Sequence, residues 1–563
     1  MNNLRQIVIV IIASIWMLSC STGSKVLLTN DQMKAKLKTH ISTLASDEFE
    51  GREAGTEGEK KASDYISKEF KKIGLSKKGS SGYLQEFSFT DGASFGSSNQ
   101  LIINISRYKL DEDFYPLPYS SNGVITGYIA RVGYGIIDQQ LNRNDYMGTG
   151  NVNKKIFLIE SGTPDGNNPH GKFGEWTDLR KKIDLAISKG AVAVIFINSD
   201  STQENPKADW NMRTTASSIP VMFVKGDAAK FLKDSVVTNC TMGVEIEKIE
   251  KKGHNVIGYI DNKAAHTIVI GAHFDHLGYG DEGSLYRGEK AIHNGADDNA
   301  SGTGALIELA RFAKASGMKN NNYLFIAFSG EEKGLLGSNY FVKHPTIDLK
   351  SVSYMLNMDM VGRLKTDEKV LIVNGSGTTP RWKTLLDSVA VDNIKIKDTE
   401  SGVGPSDHTS FYLQDIPVLH FFSGTHSDYH KPGDDEEKIN YDGAVSIIVI
   451  IKNILQKTNS SEKLVFTKTK DSDNEDAPKF KVTLGVVPDY AFEGEGMRID
   501  GVTDDRPAAK AGLEPGDVVI QLGEYKVLDM MSYMKALSKF SKGDTTKVKV
   551  LRRNQEIERD ITF

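Results

Sequence analysis

Histidine, aspartate and glutamate crowd four places in this 563-residue chain. The first runs from Gly271 to Gly302. It reads GAHFDHLG, a Gly-rich insert, then HNGADDNASG. Glu331-Glu332 follow the apolar run YLFIAFS, Asp359 follows VSYMLNM, and His426, Asp428 and His430 follow IPVLHFF. Imidazole nitrogen mixed with carboxylate oxygen is the donor set that holds hard or borderline divalent cations such as Zn²⁺. A single acidic residue of this kind is usually a solvated loop charge. A whole set placed after successive apolar runs is better read as one site.

The elements that must position these groups are legible around them. Thr267-Ile268-Val269-Ile270 precedes the first cluster and reads as a buried strand. Ala305, Leu306, Leu309, Ala310 and Ala313 follow it at helical spacing. Four strand ends then deliver their side chains to one edge of one sheet, where ligands bind in open α/β folds. The expected fold class is α/β, with a mixed, mostly parallel sheet flanked by helices.

Hydrophobic residues make up 39% of the chain and charged residues 25%, so an adequate core is available. The length suggests roughly three to four domains. A formal charge of −5 leaves no basic excess to recruit nucleic acid.

Arg5, the apolar run Ile7 to Leu18 and Ser19-Cys20-Ser21-Thr22-Gly23 open the chain. They resemble a bacterial lipoprotein signal peptide, which implies cleavage before Cys20, acylation of its thiol and a lipid-anchored place in the bacterial envelope. Cys240, the other cysteine, then has no intrachain partner and reads as a small buried hydrophobe.

Met33, Leu37, Ile41 and Leu44 mark one helix face, and Ala62, Tyr65, Ile66, Phe70 and Ile73 another. Thr56 and Glu59 form a capping-box pattern, and Gly74 ends the second helix. Between the helices, Arg52 reads as a surface loop residue. Asp442 reads as the N-cap of a last helix ending at Leu455.

The organisation expected is 1–19 signal peptide, 20–110 tether and first part of the catalytic body, and 111–250 an insert of short strands. The rest is 251–458 main catalytic body, 459–478 acidic linker and 479–563 a small terminal module. The insert resembles a protease-associated domain through Lys189-Gly190-Ala191-Val192 and its strand order. The terminal module resembles a PDZ domain through Arg506-Pro507-Ala508-Ala509-Lys510-Ala511-Gly512-Leu513-Glu514-Pro515-Gly516-Asp517. That resemblance makes Leu484-Gly485-Val486-Val487 the loop that holds the C-terminus of a peptide added as an extra strand.

GAHFDHLG, NGADDNASG, SGEEKGLLGS, NMDMVG and SDYHKPGDD occur in order, after an early GREAGTEGEKKASDYI. Together they resemble the co-catalytic dizinc peptidases of clan MH, which include secreted bacterial aminopeptidases. The resemblance implies two Zn²⁺ ions, one held by His273 and Asp359, the other by Glu332 and His430, with Asp297 bridging. It implies that Asp275 accepts the second N–H of His273 and that Asp298 follows a cis peptide bond. Two cations need a bridging carboxylate to approach within roughly 4 Å, and water between them ionises near neutral pH. Glu331 is the expected general base, and Tyr429 a donor to the tetrahedral oxyanion. His276, His293, Asp407, His408 and His426 are expected around the ligands or at the surface.

The activity implied is hydrolysis of N-terminal peptide bonds of short peptides. The scaffold also supports carboxypeptidase, dipeptidase or single-zinc glutaminyl-cyclase chemistry, and binding proteins that have lost ligands.

Overall fold

The computed structural model describes residues 27–563 apart from 167–170, 201, 209, 211–215, 235–238, 470–481, 489–494, 503–505, 515, 529 and 554. Cys20 and the signal segment lie outside the described residues, as does much of the acidic linker. No helix among the described residues is long and apolar enough to cross a membrane.

The catalytic body is built on a nine-stranded sheet. Its longer strands are β1 (Leu84–Phe95), β2 (Ile246–Ile260), β3 (Thr267–His273), β4 (Asn322–Phe328), β5 (Val352–Met358), β6 (Val370–Asn374), β7 (Lys395–Thr399) and β8 (Val418–Phe422). The order is Ser76–Lys77, β2, β4, β3, β5, β8, β6, β7, with β1 also paired to β2. β4, β3, β5 and β8 are mutually parallel, so their carboxyl ends share one edge. Antiparallel pairs join β2 to β4 and β6 to β8. β3, β4 and β5 are buried at every position, the pattern of parallel strands covered on both faces.

Alternate residues supply the two cores. Ile268, Ile270, Phe325, Leu356 and Phe421 face helices α1 (Asn30–Leu44), α2 (Glu57–Ile73), α3 (Gly302–Ala315) and α6 (Tyr441–Thr458). Val269, Leu324, Ile326, Met355 and Val418 face α4 (Leu336–Lys343) and α5 (His408–Tyr412). The period-2 split places one apolar layer on each side of the sheet.

α2 ends at Gly74, which is left-handed as a C-cap requires. Its capping box is only half made. Thr56 accepts from Glu59 N–H, but the Glu59 carboxylate turns to the His254 backbone N–H at 2.9 Å and ring. The tertiary partner outcompetes the local one. Asn440, not Asp442, caps α6, accepting from Gly443 N–H at 3.0 Å.

The insert forms a five-stranded sheet, ordered Phe114–Pro116, Val221–Val224, Ala193–Ile197, Ile156–Glu160, Ile129–Arg131, beside a four-stranded one. Cys240 is buried within it, as expected. Lys182 is fully buried there and donates to the carbonyls of Glu160, Ser161 and Gly162. Lys182→Met leaves those acceptors without a donor. It should cost about 1–3 kcal/mol, read as a lower Tm for the insert.

The terminal module is a six-stranded sheet joined by antiparallel pairs around its own core. Val486–Pro488 is an edge strand paired on one side to Met497–Val502. Leu484 is buried and Gly485 left-handed, and the Leu484 carbonyl accepts from Ala508 N–H at 2.8 Å.

Candidate metal and catalytic centre

His273 is the last residue of β3, and Asp359 is the first after β5. Their strands are neighbours, so the two side chains converge: His273 Nε2 lies 3.2 Å from Asp359 Oδ1. Glu332 comes from the turn after β4, and His430 from the loop after β8. His430 Nε2 lies 3.2 Å from Glu332 Oε2. The pairs expected from sequence are thus brought together.

The carboxylate between them is Asp298, not Asp297. Asp298 Oδ1 is 3.4 Å from His273 Nε2, and Oδ2 is 3.2 Å from His430 Nε2. The Asp297 carboxylate faces the other way. Its Oδ1 accepts from Gly362 N–H at 2.6 Å and Ser301 Oγ at 2.9 Å, and its Oδ2 lies 3.3 Å from His426 Nε2. Neighbouring residues of this irregular turn point apart, so only one can reach both histidines. The cis bond moves with the bridge: it joins Asp298 to Asn299, where 297–298 was expected.

Ring orientation follows from the other nitrogens. His430 Nδ1 is 3.0 Å from the Gly283 carbonyl, and His273 Nδ1 is 3.2 Å from the Asp275 carbonyl. An N–H donated there leaves each Nε2 lone pair facing the carboxylates. The Asp275 side chain does not play the expected part, since its Oδ1 is 3.8 Å from His273 Nδ1. It accepts instead from the backbone N–H groups of Glu331 (3.1 Å) and Glu332 (3.4 Å), fixing the turn that carries both.

Two further groups support these carboxylates: His276, expected around the ligands or at the surface, and Asp434, which the sequence did not single out. His276 Nδ1 is 2.7 Å from Glu332 Oε1 and so orients that carboxylate. Asp434 Oδ2 accepts from Asp297 N–H (2.9 Å) and Asp298 N–H (3.0 Å), holding the bridging turn from beneath. The motif KPGDD contained Asp434, but nothing in its spacing showed which backbone it would reach.

Buried charge dominates the site. Burial pushes the Asp298 carboxyl up, but the imidazoles of His276, His273 and His430 outweigh it and hold it well below the usual range. Glu332 is likewise pushed up by burial, yet drawn down to about 2, chiefly by His430. Burial lowers His273 and His430, but the facing carboxylates overcome it and lift both well above the ordinary imidazole value. Such a cluster demands positive charge at its centre. His273, Asp298 and Asp359 offer ligand atoms within 4.8 Å of one another, as do His276, Asp298 and Glu332. The buried His430 Nε2 has no hydrogen-bond partner. The donor set therefore fits a divalent metal of the zinc type.

Residues 255–455 match peptidase family M28, residues 125–232 the PA domain and residues 466–562 the PDZ domain. The match to peptidase family M28 spans the strands and loops that carry this cluster. The chain is 31% identical over 209 residues to a probable leucine aminopeptidase of Arthroderma otae, covering 35% of this chain and 56% of that one. It is 25% identical over 432 residues to aminopeptidase YwaD of Bacillus subtilis, covering 73% and 82% respectively. The chain spans about half the length of the fungal relatives it matches. Among solved structures it is similar to an aminopeptidase from Aneurinibacillus sp. strain AM-1, with 25% identity, a TM-score of 0.42 and coverage of 78% of this chain and 97% of that one.

Glu331 directly precedes Glu332 and is partly buried beside this cluster. Burial pushes its carboxyl well up; His273 opposes this, while Asp359, Glu332 and Asp407 add to it. Tyr429 stacks on the His430 ring at 3.9 Å between centroids, and burial pushes its phenol well up. Of the remaining histidines, His408 is fully buried and stacks on His420 at 4.5 Å. His293 accepts from Ser284 Oγ at 2.7 Å.

Proposed function

We propose that this chain is a zinc-dependent aminopeptidase that hydrolyses the N-terminal peptide bond of short peptides at a two-zinc centre. The observation that carries the reading is Asp298, whose two oxygens each face a histidine that also faces its own second carboxylate. His273 and Asp359 would hold one ion, Glu332 and His430 the other, and Asp298 both. Zinc bound there supplies Lewis acidity to the scissile carbonyl and a lowered pKa to a water.

The chain's own residues supply the rest. Glu331 takes the proton from the attacking water and returns it to the leaving amine. It is held at the site through its backbone N–H on Asp275. Tyr429, fixed by its stack on His430, donates to the oxyanion. The half-buried carboxylates Glu331 and Asp359 give a free substrate ammonium its counter-charge, which favours an unblocked N-terminus. The aminopeptidase names of the relatives agree with that preference.

A free N-terminus should therefore be required. Purified protein should contain two equivalents of zinc, cleave an aminoacyl peptide and leave its N-acetylated form intact. Equal rates on both would reject amine recognition; cleavage from the carboxyl end only would make the protein a carboxypeptidase.

The PDZ edge strand Val486–Pro488, with Leu484 and Gly485 before it, would take a peptide C-terminus as an added strand. The N-terminal signal read from Arg5 to Gly23 supports a lipid anchor on Cys20 and an envelope location.

A further inference from the structure

Arg52 is the one arginine fully buried among the described residues, and it is not the surface loop residue its Gly-Arg context suggested. Its guanidinium donates only to backbone carbonyls. Nε reaches Phe274 O at 2.7 Å, Nη1 reaches Leu44 O at 2.5 Å and Asn294 O at 2.7 Å, and Nη2 reaches Gly295 O at 2.9 Å. Phe274 lies between His273 and Asp275. Asn294 and Gly295 lie four and three residues before Asp298. One planar fork therefore ties the end of α1 to the two loops that carry a terminal ligand and the bridging one.

The backbone on either side reinforces the grip. His276 N–H donates to Arg52 O at 3.3 Å, and Gly278 N–H to Gly51 O at 3.1 Å. Glu50, Gly51 and Arg52 are all left-handed. A Cβ on Gly51 would stand 2.5 Å from Gly278 O and 2.6 Å from His293 O, so only glycine allows this approach. From the opposite side, Asp434 holds the amides of 297 and 298. The bridging turn is thus held by its carbonyls at one end and by its amides at the other.

We infer that Arg52 is a positioning residue of the metal centre: it sets the separation of the His273 and Asp298 loops, and its buried charge balances the carboxylates before metal arrives. Burial lowers its pKa to about 10, while Asp298, Asp275, Asp434 and Glu332 work to keep it charged. Lysine cannot replace it, because a point charge with three donors does not span four carbonyls in one plane. The inference rests on the two-zinc reading above.

The test uses the full chain with wild type, R52K and F49L side by side. Phe49 is buried in the same short segment but touches neither ligand loop through a polar group, so F49L controls for general destabilisation. Zinc affinity is measured by competition with a chromophoric chelator, alongside Tm and steady-state kinetics. R52K should bind zinc about tenfold to 100-fold more weakly, with reduced kcat and KM within about threefold of wild type, the split expected when the ground-state complex is spared. F49L should lower Tm while keeping wild-type zinc affinity. An R52K protein whose zinc affinity stays within twofold of wild type, with only its Tm lowered, overturns the inference.

If R52K does not fold, D47A decides. Asp47 accepts from Asn294 Nδ2 at 2.9 Å on the exposed side of the same junction. D47A should weaken zinc binding several-fold with little change in Tm, and unchanged affinity there overturns the proposal. A wild-type chain that takes up no zinc overturns both this and the functional reading; zinc-binding wild type with unaffected variants overturns this one alone.

Discussion

Replacing Glu331 with glutamine is expected to lower kcat by about 10²–10⁴-fold, or about 3–5 kcal/mol in barrier height, while leaving bound zinc unchanged. The amide has nearly the same shape but cannot accept and return the water proton. On the proposed reading the ligand atoms would come from His273, Asp298, Asp359, Glu332 and His430, so none is removed. The backbone N–H of residue 331 keeps its bond to Asp275, so the turn stays in place. Zinc content by elemental analysis and turnover on a free aminoacyl substrate are read on the same preparation. Full activity in E331Q would move the base elsewhere. The next carboxylate to examine would be Asp407, which is fully buried with neither oxygen hydrogen-bonded.

That expectation is legible in the sequence, and the reason is physical. β3, β4 and β5 are apolar at successive positions because both faces are covered, so their ends could be placed from composition alone. A polar ligand directly after such a run can only project from the sheet's carboxyl edge. His273, Glu332 and Asp359 were legible for that reason, and the amphipathic stripes of α1 and α2 for the analogous helical one.

What stayed hidden depends on contacts between distant segments. Arg52 looks solvent-exposed in its own neighbourhood, since the carbonyls that hold it at Phe274, Asn294 and Gly295 are more than 200 residues away. Glu59 has a good local partner and abandons it for His254. His276 follows a strand end like a spare histidine, and only the fold brings Glu332 to its ring. In each case local chemistry permitted two states and the tertiary environment selected one.

Asp297 and Asp298 are the sharpest instance, and they yield the second large effect. D298N should abolish paired zinc binding, with affinity falling by about 100-fold or more, beyond the usual loss of a group that only orients a ligand. Asn offers one weak carbonyl acceptor where the two histidine rings and their carboxylates surround a shared anion. Activity should fall to background even with excess zinc, because two cations without an anion between them repel. D297N should behave differently. Its amide oxygen can still accept from Gly362 N–H and Ser301 Oγ, and only the pairing with His426 is weakened. Zinc affinity there should stay within about tenfold of wild type, the lower end of what a supporting partner contributes. Zinc titration of the two variants under identical conditions separates the assignments. If D297N loses both ions and D298N keeps them, the bridge is Asp297 after all. Equal losses in the two would mean that the turn acts as one unit, with the hydrogen bonds from Ser301 and Gly362 to Asp297 as necessary to zinc binding as the bridging oxygens themselves.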